Sequence, residues 1–229
     1  MRIILFDIDG TLINSAGAGR RAMERGFADL YGIEDALDGV QLHGRADPVI
    51  IRDAFDRQLG RSPGAGEIDE IIDKMLACLR TELQNSPGYR VLPGVHEILR
   101  HLSQRDDVLL GLETGNTEPG AELKLSHGGI WHYFRFGGYG SDSDVRSEIV
   151  RAGIKRAEQL LGADDPIEEI WAVGDTPTDI EAGQTVGAKT LATATGMHSL
   201  DLLRACEPDL AVSDLSDVPL VIATLLGKT

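Results

Sequence analysis

The chain has 229 residues, 42% of them hydrophobic, which is enough for one large domain or for a core carrying a smaller insertion. Its formal net charge is -15, with acidic residues spread along the whole length and no run of Lys or Arg, so a nucleic-acid partner is not expected. The same field opposes an anionic substrate, which a local cation and aimed hydrogen-bond donors would have to overcome.

Cys78 and Cys206 lie far apart without metal or redox spacing, and reduced thiols are expected. The apolar stretch before Asp7 is too short for a signal peptide, and no apolar run reaches membrane-spanning length. A cytoplasmic protein without a membrane partner, monomeric or homodimeric, is the expectation.

In chain order, Arg2 to Phe6 is an apolar run without helical period, ended by Asp9-Gly10, as for a strand buried on both faces. From about Ser15 to Gly88 the pattern is helical. Met23, Phe27, Leu30 and Tyr31 mark one helix, and Ile68, Ile71, Ile72, Met75 and Leu79 another. Ser62-Pro63-Gly64 reads as an internal loop, and Ser86-Pro87-Gly88 lies near the exit. Val95, Ile98, Leu99 and Leu102 then predict a helix, Val108 to Leu112 a strand, and Val150, Ile154, Ala157 and Leu161 a further helix. Strands are predicted over Ile170 to Val173, Thr190 to Ala192 and Leu210 to Val212, and a last helix over Val218 to Leu226 with Ser216 as its N-cap. This alternation predicts an α/β fold, a Rossmann-like doubly wound parallel sheet, interrupted after its first strand by a small all-helical segment.

Three polar clusters each follow a predicted strand. Asp7-Ile8-Asp9-Gly10-Thr11 places two carboxylates on one side by a period of two, so that one can attack while its neighbour carries a proton. A polar turn with capping aspartates is the alternative reading, and a calcium loop fits poorly because its closing Glu would be Ala18. Glu113-Thr114-Gly115-Asn116 offers a hydroxyl and backbone N–H groups to phosphoryl oxygens, although such a turn is also common punctuation. Gly174-Asp175-Thr176-Pro177-Thr178-Asp179 offers two carboxylates at a strand-to-helix junction, hard ligands suited to magnesium, or else a plain helix cap.

With DIDGT at 7–11, LETGN at 112–116 and GDTPTD at 174–179, nearly the whole chain resembles the haloacid dehalogenase superfamily in its phosphatase branch, closest to phosphoglycolate-phosphatase-like proteins. The resemblance implies a magnesium-dependent phosphatase of small phosphorylated metabolites. Asp7 would be nucleophile, Asp9 general acid/base, and Asp7, Asp175, Asp179 and the Asp9 carbonyl the Mg2+ ligands. Thr114 would assist catalysis, and Gly10, Thr11, Gly115 and Asn116 would bind substrate. It also implies a core of 1–14 and 89–229 and a helical cap of 15–88. Gly44-Arg45-Ala46-Asp47 falls where such caps carry a specificity loop, with Arg45, and His43 beside it, toward the substrate's remote end.

One departure from the family pattern is the usual Lys-Pro, replaced here by GSDSDVRS at 140–147. Arg146 is expected to supply the missing positive charge from a slightly shifted position, whereas Lys124 and Lys155 sit in helical patterns and are expected on solvated faces. A phosphomutase would keep these motifs, a dehalogenase would lack Asp9, and a catalytically silent binding protein is the reading that the missing Lys-Pro favours. Gly17-x-Gly19-x-x-Ala22 begins too late after the first strand for a dinucleotide fingerprint. His96, His101, His127, His132 and His198 have no metal-ligand spacing.

Overall fold

In the computed structural model, which describes residues 1–162 and 165–227, the first apolar run is strand β1 (Arg2–Phe6). Ile3 and Leu5 pack into one apolar cluster and Ile4 and Phe6 into another, so both faces are covered and no polar alternation is needed. After a turn the chain forms β2 (Ile13–Asn14), then the helices α1 (Ala18–Tyr31), α2 (Asp47–Leu59) and α3 (Glu67–Gln84), and returns through β3 (Arg90–Val91). Antiparallel pairing of β2 with β3, Ile13 with Val91 and Asn14 with Arg90, ties exit to return, next to the boundaries expected at 14/15 and 88/89.

The three helices pack around an apolar cluster of their own, containing Phe27, Ile51, Phe55, Ile71 and Leu79. Helix α2 had no separate counterpart in the sequence reading. Its buried side chains Ile50, Ile51, Ala54 and Phe55 follow Pro48 in the first turn, where a missing N–H costs nothing.

The chain continues as α4 (Val95–Ser103), β4 (Val108–Glu113), α5 (Glu118–His127), β5 (Gly137–Gly138), α6 (Arg146–Leu160) and β6 (Glu169–Gly174). It ends with α7 (Pro177–Thr185), β7 (Lys189–Thr193), α8 (Leu200–Arg204), β8 (Leu210–Val212) and α9 (Val218–Leu225). Of the predicted strands, β1 and β8 recur with the same bounds and β4, β6 and β7 with one or two residues added, while β5, made of two glycines, carries no side-chain signal. The last helix is capped by Asp217, whose carboxylate accepts from Leu220 N at 3.2 Å, rather than by Ser216, which bonds back to Asp214.

The main sheet has six strands in the order β5-β4-β1-β6-β7-β8, every neighbouring pair parallel. Helices α4, α5 and α9 contribute to the cluster on one face, α6 and α7 to the cluster on the other. Phe6 pairs with Leu112 on β4 and with Val173 on β6, so β1, β4 and β6 end level. β1 is also where the strand order turns from one half of the sheet to the other, which opens a crevice at the carboxyl ends of these three strands. Among the described residues, no helix is long and apolar enough to cross a membrane.

Candidate active site

The level strand ends bring the three predicted clusters together. Asp7, Asp175 and Asp179 are all buried, and one carboxylate oxygen from each lies within 4.8 Å of the others. Asp175 accepts from the Thr11 hydroxyl at 3.2 Å. Asp179 is the fourth member of a capping box at the start of α7: its Oδ2 accepts from the Thr176 backbone N (3.0 Å) and hydroxyl (2.8 Å). Its other oxygen, Oδ1, faces the cluster without a hydrogen bond.

So much buried negative charge shifts titration. Burial, then the charges of Asp179 and Asp7, push Asp175 up to about 9. Burial pushes Asp7 up to about 6, against the lowering influence of Arg146 and with Asp179 adding to the rise. These groups therefore fit a divalent cation: hard oxygen donors whose mutual repulsion a metal would relieve.

Arg146, the first residue of α6, reaches this cluster from the neighbouring strand connection. Its Nη2 lies 2.8 Å from Asp7 Oδ1 and 2.9 Å from Asp179 Oδ1, donates to the Glu113 carbonyl at 2.9 Å, and its Nε is 3.4 Å from the Glu113 carboxylate. Glu113 is fully buried, and burial raises its pKa well above the ordinary value despite the guanidinium.

Asp9 lines the same cavity as Asp7 but has polar partners of its own. Its Oδ1 accepts from the Ser15 hydroxyl at 2.8 Å, and its Oδ2 accepts from Lys124 Nζ at 2.5 Å and Asn116 Nδ2 at 3.0 Å. Burial opposes its charge, but the Lys124 ammonium with these donors outweighs that and holds Asp9 below the ordinary carboxyl value. Lys124 was expected on a solvated face; it is buried on the same side of α5 as Gly120, Ala121 and Leu125 and also donates to Asn116 Oδ1 at 2.6 Å. An added Cβ at Gly19 would come within 3.1 Å of its ammonium, so α1 leaves it room. Lys155, on α6, is exposed as expected.

Thr114 is fully buried, its hydroxyl accepting from the Asn116 side chain at 2.8 Å. Gly10 has φ +94°, and a side chain there would collide with Asp175. Gly115 lies directly under the 42–47 loop, where a Cβ would sit 2.1 Å from the Arg45 carbonyl oxygen. Asp47 fastens this loop: its N–H donates to the Gly115 carbonyl at 2.8 Å and its carboxylate accepts from Thr117 N at 3.0 Å. Burial pushes Asp47 up to about 6, Lys124 opposing.

A cavity of about 340 Å³ spans the carboxylate cluster and the helical layer, lined by Asp7, Asp9, Gly10, Thr114, Gly115, Asn116, Arg146 and Asp175 on the sheet side. One expectation is corrected: Thr11 is fully buried and spends its hydroxyl on Asp175, so it positions a carboxylate rather than touching the cavity. Arg45 lines the cavity, with its guanidinium paired to Asp53 of α2 at 2.8 Å.

Comparison with known proteins gives a consistent picture. The family model described as haloacid dehalogenase-like hydrolase matches residues 1–187. A phosphoglycolate phosphatase of Pseudomonas savastanoi is 26% identical over 93% of this chain and 77% of its own length. A pyrophosphatase of Oceanobacillus iheyensis is 25% identical over 97% of each chain. Among solved structures, a hydrolase from Pseudomonas syringae superposes with a TM-score of 0.69 at 17% identity, covering 98% of this chain and 99% of its own.

Proposed function

The chain belongs to the haloacid dehalogenase-like hydrolase family, and on that premise we propose that it is a magnesium-dependent phosphatase of small phosphorylated metabolites, acting through an aspartyl-phosphate on Asp7. The observation that carries this reading is the meeting of Asp7, which follows β1, with Asp175 and Asp179, which follow β6, and with Arg146 against the first.

Asp7, Asp175 and Asp179 would hold the Mg2+, with the Asp9 carbonyl as a further ligand. When bound, the ion would neutralise the gathered carboxylates and polarise the phosphoryl group. The need is quantitative: one pair of like charges about 4 Å apart costs about 4 kcal/mol at an effective dielectric of 20, and a phosphate dianion meets several here.

An Asp7 oxygen attacks phosphorus and the bond to the ester oxygen breaks. Asp9 gives that oxygen its proton, so the alcohol leaves neutral. Asp9 is held ionised at rest by Lys124, Asn116 and Ser15, and the approach of a phosphate dianion raises its proton affinity, so that it takes up a proton from solvent as substrate binds and has it to give in this step. Ionised again, it takes a proton from the water that attacks phosphorus in the aspartyl-phosphate, which releases phosphate and restores Asp7. Arg146 keeps Asp7 oriented, and Thr114, the Gly115 N–H and Asn116 would receive the phosphoryl oxygens, with Gly10 giving the close backbone approach.

We further propose that 15–88 acts as a cap on a core of 1–14 and 89–229, excluding water while the 42–47 loop rests on Gly115. Phosphate released from a panel of phosphate monoesters in Mg2+, lost on adding EDTA and in Asp7→Asn, is the expected result. No release from any of them refutes the proposal.

A further inference from the structure

Resting on that phosphatase reading, we infer that the ester this site cleaves carries an apolar alcohol, aliphatic or aromatic and about the size of a benzene ring, with no second anionic group. The cavity above Asp7 changes character with distance from the carboxylates. Its helical side is lined by Met23, Leu37, Leu42, Ile50, Met75 and Leu79, and all but the half-buried Leu42 belong to the buried apolar cluster of the helical layer. Thioether and branched aliphatic side chains surround a leaving group without offering it a hydrogen bond.

A charged leaving group needs a cation, and the cations on this wall are committed. Arg20 pairs with Glu24 at 2.8 Å and Asp38 at 2.6 Å, Arg45 with Asp53 at 2.8 Å, Lys124 with Asp9 at 2.5 Å, and Arg146 with Asp7 and Asp179. Among the described residues, the other basic side chain on the lining is His43, which is exposed. Lys124 and Arg146 are buried, and freeing either for a substrate carboxylate would strand an acidic partner, while the more exposed Arg20 and Arg45 already balance acids of the helical layer in a chain of net charge -15. Size agrees: a dry cavity of about 150 Å³ holds a benzene ring, so a space of about 340 Å³ takes such a group together with the phosphoryl end.

The test is the initial rate of phosphate release by the purified full chain with Mg2+ from ethyl, butyl, hexyl and benzyl phosphate, set against phosphoglycolate, whose alcohol bears a carboxylate. The hydroxyls of benzyl alcohol and glycolate are of similar acidity, so their ratio reports recognition rather than leaving-group strength. We expect kcat/KM to rise about fourfold per methylene until the cavity is full, and benzyl phosphate to exceed phosphoglycolate by roughly tenfold or more, the effect of burying one ring-sized group. Leu42→Arg, on the half-buried loop, should shift the ratio toward phosphoglycolate. Both esters are measured on one preparation, so partial unfolding cancels. A flat alkyl series, or phosphoglycolate preferred, overturns the inference and leaves the phosphatase reading standing. Silence toward every ester removes both.

Discussion

Arg146→Met removes one guanidinium from a nest of carboxylates, and its cost can be worked from the contacts. The side chain is 7% accessible and touches Asp7, Asp179 and Glu113. At charge separations near 4 Å each attraction is about 4 kcal/mol at an effective dielectric of 20, much of it offset by the desolvation of the groups themselves. Breaking a buried pair while leaving its partner in place costs about 3–5 kcal/mol. For a chain of this length about 2–4 °C of Tm accompanies each kcal/mol, so the metal-free variant should melt about 6–20 °C below wild type at pH 8.

The pH dependence has a definite sign. Asp7 already titrates at about 6, above the ordinary carboxyl value, and loss of the guanidinium raises it further. A carboxyl whose folded pKa exceeds its unfolded one stabilises the fold at low pH, and that stability is lost as pH rises through the folded value. The deficit should therefore be smallest near pH 5, where the stranded acids take up protons, and grow toward pH 8. Thermal unfolding in EDTA at the two pH values measures it. Equal melting at pH 8, or a deficit unchanged between pH 5 and 8, refutes the reasoning.

Mg2+ binding at pH 7 should release about one proton, since Asp175 titrates at about 9 and must ionise to ligate. Calorimetry in two buffers of different ionisation enthalpy reads this directly, and zero release contradicts the ligand assignment. Gly115→Ala drives a methyl group toward the Arg45 carbonyl oxygen, which must move. The expected results are a loss of about 1–3 kcal/mol in denaturant unfolding and a higher KM as the 42–47 loop is displaced. Lys124→Met removes the ammonium that holds Asp9 down, so the alkaline limb of the kcat/KM profile, where the general acid loses its proton, should move to higher pH; an unmoved limb would detach Asp9 from that limb.

The core strands were legible because strands buried on both faces must be continuously apolar, as Arg2 to Phe6 and Val108 to Leu112 are. The site was legible because parallel strands that end level deliver whatever follows them to one edge, and Asp7, Thr114 and Asp175 each follow such a strand. The β2–β3 ribbon and β5 escaped because two-residue strands have no period to read. Helix α2 escaped because its short buried stripe lies between loops rich in Gly, Asp and Pro.

Lys124 was misplaced by treating a lysine in a helix as solvated, although it is one turn from Gly120 and Ala121 and next to Leu125, on the face that packs inward. Thr11 and Arg45 were assigned by motif position alone. Their partners, Asp175 and Asp53, lie 164 and 8 residues away, and no local spacing encodes which acceptor each side chain finds.

The most direct test is acid quenching of Asp9→Asn, with Mg2+ and p-nitrophenyl phosphate, whose phenolate leaves without needing a proton from residue 9, followed by peptide mass analysis. Asparagine can supply no general base, so the covalent species should accumulate, giving a peptide containing Asp7 that carries one added phosphoryl group, and none in Asp7→Asn. Phosphate released in a single turnover with no phosphoryl group ever found on Asp7, or found on another residue, would contradict it.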